Sequence, residues 1–170
     1  HRDGIYDYSC VVMGGVGSGE MRLADDWTGS TATHYSGSNS NIFVAPVCAM
    51  DLQWVSTGGP IGVWIANDDL HTSTAEYISD ISIDSNDKVV VSGIYNDGVW
   101  FDQNYLSPYD DSDIFIATIE NVWSNTSTWN DAYRGGGYGE DRVQAHTVTS
   151  TGSVVIGGSI DGSPQFGNTY

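Results

Sequence analysis

Val11-Val12-Met13-Gly14-Gly15, Val89-Val90-Val91-Ser92-Gly93 and Val154-Val155-Ile156-Gly157-Gly158 are three renderings of one string: a β-branched run, a small residue and a glycine. A run of that composition between turn-forming residues reads as a short strand. Each is followed, twelve residues after its first valine, by a large apolar residue: Leu23, Phe101 or Phe166. Such recurrence decides the architecture before any single element does, because a repeated unit buries its apolar face only against a neighbouring copy.

Working outward, a second landmark recurs as Asn41-Ile42-Phe43-Val44-Ala45-Pro46-Val47 and Asp113-Ile114-Phe115-Ile116-Ala117-Thr118-Ile119. A Trp and then a glycine pair follow it, Trp54 with Gly58-Gly59 and Trp129 with Gly135-Gly136. A third landmark opens the unit, as Ile78-Ser79-Asp80-Ile81-Ser82-Ile83-Asp84 and Val143-Gln144-Ala145-His146-Thr147-Val148. It alternates apolar and polar residues, the period of a half-buried strand. Four short antiparallel strands per unit describe the blade of a β-propeller, so the expected fold is all-β, a partial propeller of four-stranded blades. A β-sandwich or jelly roll delivers short strands at similar spacing and stays open as the alternative. No segment carries the 3.6-residue period of an amphipathic helix. The units span 1–77, 78–142 and 143–170. The first lacks its opening strand, the second is complete and the third is partial. Segments 24–40 and 60–76, rich in Ser, Thr, Gly, Asn and Asp, are expected as loops.

Ser112-Asp113-Ile114-Phe115-Ile116-Ala117, then Trp129, then Gly135-Gly136, together with the opening Ile81-Ser82-Ile83-Asp84-Ser85-Asn86-Asp87-Lys88-Val89-Val90-Val91-Ser92-Gly93, resembles the SBBP-type β-propeller repeats of bacterial and archaeal cell-surface and secreted proteins. The resemblance covers residues 78–170 and, more loosely, 8–59. It implies a propeller fold and surface exposure, and it brings no catalytic residues. The long loops and the missing strand before Cys10 depart from the usual unit.

Where the Val-rich and Ile-Phe strands are antiparallel neighbours, the start of one lies beside the end of the other. Cys10 directly precedes Val11 and Cys48 directly follows Val47, so both fall on one rung; Lys88 and Glu120 hold the equivalent rung of the second unit. One register thus predicts a Cys10–Cys48 disulfide and an opposite-charge pair. Two separate buried thiols are the alternative. The bridge implies an oxidising compartment.

With 5 basic against 22 acidic side chains the net charge is −17, a field that repels nucleic acid. Such one-sided charge suits a saline, extracellular or calcium-containing setting. No apolar run reaches membrane-spanning length, and no leader is visible, so secretion requires one removed or lying upstream. His1, His34, His71 and His146 are scattered without zinc-ligand spacing. Among the acidic clusters, Asp110, Asp111 and Asp113 are the candidate calcium ligands, although none matches a twelve-residue calcium loop. Loop aromatics Trp27, Trp64 and Tyr109 are candidates for stacking on a sugar or anchoring a partner, and Asn125-Thr126-Ser127 is a glycosylation sequon. Ser159-Ile160-Asp161-Gly162 is a distant likeness of the sialidase Asp-box, but its glycine follows the aspartate directly. No Gly-x-Ser-x-Gly elbow exists. The expectation is no enzyme and no required cofactor, calcium aside. Two and a quarter blades leave open edges, satisfied by further blades of a longer chain or by other subunits joining head to tail into a ring or fibre. The function expected is therefore that of an extracellular or cell-surface structural or adhesive module. A carbohydrate-binding module is the first alternative and a secreted glycosidase fragment the second.

Overall fold

The structure, a computed structural model, describes residues 2–3, 6–24, 31–50, 53–54, 64–68, 76–123 and 128–167, with side chains described at 11–17, 41–45, 76–123 and 128–167. Its described residues are all-β, in antiparallel sheets that do not close into a barrel. In chain order the strands are β1 (Arg2–Asp3), β2 (Tyr6–Ala24), β3 (Thr31–Met50), β4 (Gln53–Trp54), β5 (Trp64–Asp68), β6 (Tyr77–Ile83), β7 (Val89–Tyr95), β8 (Val99–Phe101), β9 (Asn104–Leu106), β10 (Asp113–Ile119), β11 (Trp129–Gly136), β12 (Arg142–Val148), β13 (Val154–Ser159) and β14 (Gln165–Phe166). They form one sheet ordered β1-β2-β3-β5-β8-β9 with β4 also on β3, a second ordered β14-β11-β10-β7-β6, and the pair β12-β13.

The Val-rich and Ile-Phe strings lie side by side. β7 pairs with β10 from Val89 opposite Ile119 to Tyr95 opposite Asp113, and β2 pairs with β3 with Val11 opposite Val47 and Cys10 opposite Cys48. One rung beyond Val89 and Ile119, Lys88 Nζ lies 3.9 Å from Glu120 Oε1 on the surface, a contact worth about 0–1 kcal/mol there.

The opening strands repeat in detail. β6 pairs with β7 with a bulge between Ile78 and Asp80; β12 pairs with β13 with a bulge between Val143 and Ala145, at the equivalent place. The turns repeat as well. Asp84 Oδ1 accepts the N–H of Lys88 at 3.0 Å and Thr149 Oγ1 accepts that of Ser153 at 3.1 Å. The left-handed residue in each is Asp87 (φ 60°) or Gly152 (φ 82°), both types that tolerate that region.

Two segments expected as loops carry strand backbone. Residues 31–40 belong to β3, and 64–68 form β5, which pairs with β3 at Ile42–Ala66 to Val44–Trp64. With β4 placing Trp54 opposite Ala49, the outer strand of the first unit comes in two pieces. The stretch between β7 and β10 also folds, as the β8–β9 hairpin, whose Asp102 (φ 52°) turns the chain. Val99, Phe101 and Leu106 of this hairpin enter the core with Ile42, Val44, Val91, Phe115 and Trp129. Phe101 lies centroid to centroid 5.2 Å from Phe115 and 4.9 Å, edge to face, from Trp129.

Candidate functional site

Two features stand out beyond the shared core: the junction at which β12 packs on β6 and β7, and the far edge of β13. At the junction Asp113, the first residue of the buried strand β10, is itself fully buried, while Asp110 and Asp111 before the strand remain exposed. Asp113 Oδ2 accepts the backbone N–H of Tyr109 in a short hydrogen bond. Asp113 Oδ1 has no hydrogen-bond partner and faces the carboxylate of the equally buried Asp141. Asp141 Oδ2 accepts the N–H of Gly137 at 2.7 Å and its Oδ1 that of Asp161 at 2.8 Å. Both acids close over Gly136, where a Cβ would stand 2.5 Å from Asp141 Oδ2 and closer still to Asp113 Oδ1; only glycine leaves them room. Burial, and then the charge of Asp141, raise the pKa of Asp113 from 3.8 to about 6, against the Tyr109 hydrogen bond and the positive charge of Arg134.

A histidine fastens the same junction. His146 on β12 is nearly buried, with Nε2 2.7 Å from Ser82 Oγ on β6 and Nδ1 2.7 Å from Ser92 Oγ on β7. The neutral ring has one donor and one acceptor nitrogen, and a hydroxyl serves either role. Its backbone N–H donates to Asp80 Oδ2 at 2.8 Å. Burial lowers the affinity of the ring for a proton, opposed by the nearby Asp80. Beside the junction lies a shallow pocket of about 400 Å³ lined by Tyr77, Ile94, Asn96, Ser112, Glu140 and Arg142.

The edge differs from its counterpart in the second sheet. β7 is flanked by β6 and β10 and is almost wholly buried. Among the described residues β13 pairs with β12 alone, and its Val155 is 54% exposed. Ile160, just beyond it, is also exposed. In the first sheet Val11 and Met13 of β2 are exposed.

The sequence-derived candidates distribute as follows. Asp110, Asp111 and Asp113 do not converge, and among the described residues no three His, Cys, Asp or Glu side chains gather as a metal site. The physical reason is that Asp113 opens β10, a strand buried between β7 and β11, and turns its carboxylate to Asp141, while Asp110 and Asp111 stay in solvent. The ring face of Tyr109 is occupied by Arg134, whose guanidinium carbon stands 4.0 Å from the centroid, and its hydroxyl donates to Gln165 Oε1 at 2.9 Å. Asp161 sits in a turn, accepting the N–H of Gly162, which has φ 68°. Trp27 and Asn125 lie outside the described residues, as do the side chains of Trp64, Cys10 and Cys48. Sequence reasoning names Asp141 only in the acidic pair Glu140-Asp141 and misses its meeting with Asp113 and the bridging role of His146. The signal for Asp141 was present: aligning Val154 with Val89 superposes Asp141 on Glu76, and aligning the two Ile-Phe strings superposes Asp113 on Asn41. Glu76 and Asn41 are also buried.

Comparison with family models, with curated proteins and with solved structures finds no match. Among the described residues no helix is long and apolar enough to cross a membrane.

Proposed function

We propose that the chain is a non-catalytic structural or adhesive module of a cell surface or extracellular assembly, built of β-propeller-type units of the SBBP kind that extend by adding strands at open edges. The observation that supports this most is the copying of β6-β7 by β12-β13, down to the bulge, the left-handed turn residue and the glycine. A unit reproduced at that level is one stacked on its like. The acidic surface favours saline or calcium-containing surroundings and disfavours nucleic acid.

Export gives Cys10 and Cys48 an oxidising compartment. Facing each other across β2 and β3, the two thiols form a disulfide, releasing two protons and passing two electrons to an oxidised dithiol or glutathione disulfide. Light scattering and electron microscopy of the purified chain test the assembly reading. Mass that grows with concentration, or particles longer than one chain, supports it; a strict monomer at every concentration refutes it.

A further inference from the structure

Three glycines of this chain lie under a phenylalanine of the adjoining strand. Gly15 of β2 is opposite Phe43 of β3, and a Cβ there would lie 2.9 Å from the ring. Gly93 of β7 is opposite Phe115 of β10, with a Cβ 2.5 Å from the ring. Gly135 of β11 is opposite Phe166 of β14, again at 2.5 Å. A glycine in a strand exposes bare backbone, and an aromatic ring laid across it from the neighbouring strand restores the buried surface.

Gly158 of β13 is the counterpart of Gly93. Each takes its place in the register opposite the residue just before the bulge, Ile78 or Val143. Each would drive a Cβ against the same carbonyl of the opening strand, that of Tyr77 or of Arg142. On its other side Gly93 has Phe115, whereas Gly158 is exposed and has no ring within 4 Å among its nearest atoms.

We propose that the free edge of β13 is a docking site for one added antiparallel strand of the sequence type Asp/Asn-Ile-Phe-Ile/Val-Ala, with its phenylalanine laid over Gly158. Both occupied ladders fix the register. Phe43 and Phe115 face the glycine, Ile42 and Ile114 face the next residue, and Asn41 and Asp113 face the one after. Transferred to β13, the phenylalanine faces Gly158, the isoleucine Ser159 and the acid or amide the exposed Ile160; the alanine faces Ile156. Main-chain hydrogen bonds give affinity, and the slot over Gly158 selects the sequence. The occupant is a strand of a further unit of this kind, so the proposal rests on the reading of the chain as a repeat module and adds the identity and register of what it takes.

The probe is a fluorescein-labelled peptide with the sequence of residues 112–120, added to the intact chain and followed by fluorescence anisotropy. The expected result is saturable binding, weakened at least about tenfold when the phenylalanine of the peptide is alanine and abolished by scrambling. Hydrogen exchange of the complex should slow at the amides of β13. Equal binding of the scrambled peptide, no binding at all, or protection confined to other strands overturns the proposal. Failure of the assembly reading is recognised separately: a chain that stays monomeric yet binds the peptide in this register loses self-assembly and keeps the docking edge. A chain that assembles while ignoring the peptide keeps assembly and loses the edge.

Discussion

Replacing Asp113 by Asn should stabilise the protein at neutral pH, by an amount that shrinks steadily as pH falls from about 6 toward the ordinary aspartate range. The acid is fully buried, with Asp141 opposite one oxygen and the Tyr109 N–H on the other; Arg134 also acts on it, and it acts in turn on the buried Tyr95. Its pKa rises from 3.8 to about 6, and at about 1.4 kcal/mol per tenfold change in proton affinity the difference comes to roughly 3 kcal/mol. The folded protein holds this proton more tightly than the unfolded chain does. The stabilisation is therefore complete below the ordinary aspartate range and is lost as pH rises through about 6. An Asn at 113 carries no charge to bury, keeps an oxygen for the Tyr109 N–H and turns an amide donor toward Asp141. The first unit already has an amide in this place, Asn41. Allowing for imperfect amide geometry, the gain near neutral pH is about 1–3 kcal/mol, or roughly 2–12 °C in Tm for a chain of this size. Urea titrations of both proteins from about pH 4.5 to about pH 7.5 measure it, and their difference isolates Asp113 from every other titrating group. A variant destabilised by the same amount at both ends of that range refutes the reasoning, because the cost would then come from packing and not from charge.

Phe115→Ala removes a fully buried ring lying over Gly93 and should cost about 3–5 kcal/mol in denaturant unfolding; a loss under about 1 kcal/mol would mean that the ladder around it is not a packed core. His146→Ala leaves the hydroxyls of Ser82 and Ser92 without their bridge and should cost about 2–4 kcal/mol. The lowered proton affinity of His146 also predicts a pH effect of opposite sign to that of Asp113: its stability is full above about 6.5 and declines as pH falls toward the lowered value, because the unfolded chain takes the proton first. The alanine variant should lack that acid-side loss, and an unchanged profile counts against the assignment. Reduction of a Cys10–Cys48 bridge should cost roughly 4 kcal/mol by the loop-closure argument, seen as a lower melting temperature in reductant together with a gain of two hydrogens by intact mass; an identical melt with and without reductant contradicts the pairing.

The parts of this structure that could be read from sequence are those in which cross-strand neighbours constrain one another. Cys10 with Cys48 and Lys88 with Glu120 mark the same rung of their two ladders, so the register of β2 on β3 and of β7 on β10 follows from the residue types at matched positions. Residues 31–40 were unreadable as strand because their Ser, Gly and Asn content lacks an apolar alternation, and their pairing with β2 comes from the continuing hairpin ladder. The β8–β9 hairpin escaped notice because its three core residues, Val99, Phe101 and Leu106, are spread over a stretch otherwise rich in Asp, Asn and Gly. The acid pair escaped for a different reason. Asp110, Asp111 and Asp113 look alike as a cluster, and only the start of β10 at Asp113 separates the one that is buried beside Asp141 from the two that meet solvent. That meeting closes the second unit next to the start of β12, and the positions equivalent by alignment in the first unit, Asn41 and Glu76, are also buried. Because the first unit carries an amide at 41 where the second carries Asp113, the loss of stability as pH rises through about 6 belongs to the second unit in particular and not to the repeat itself.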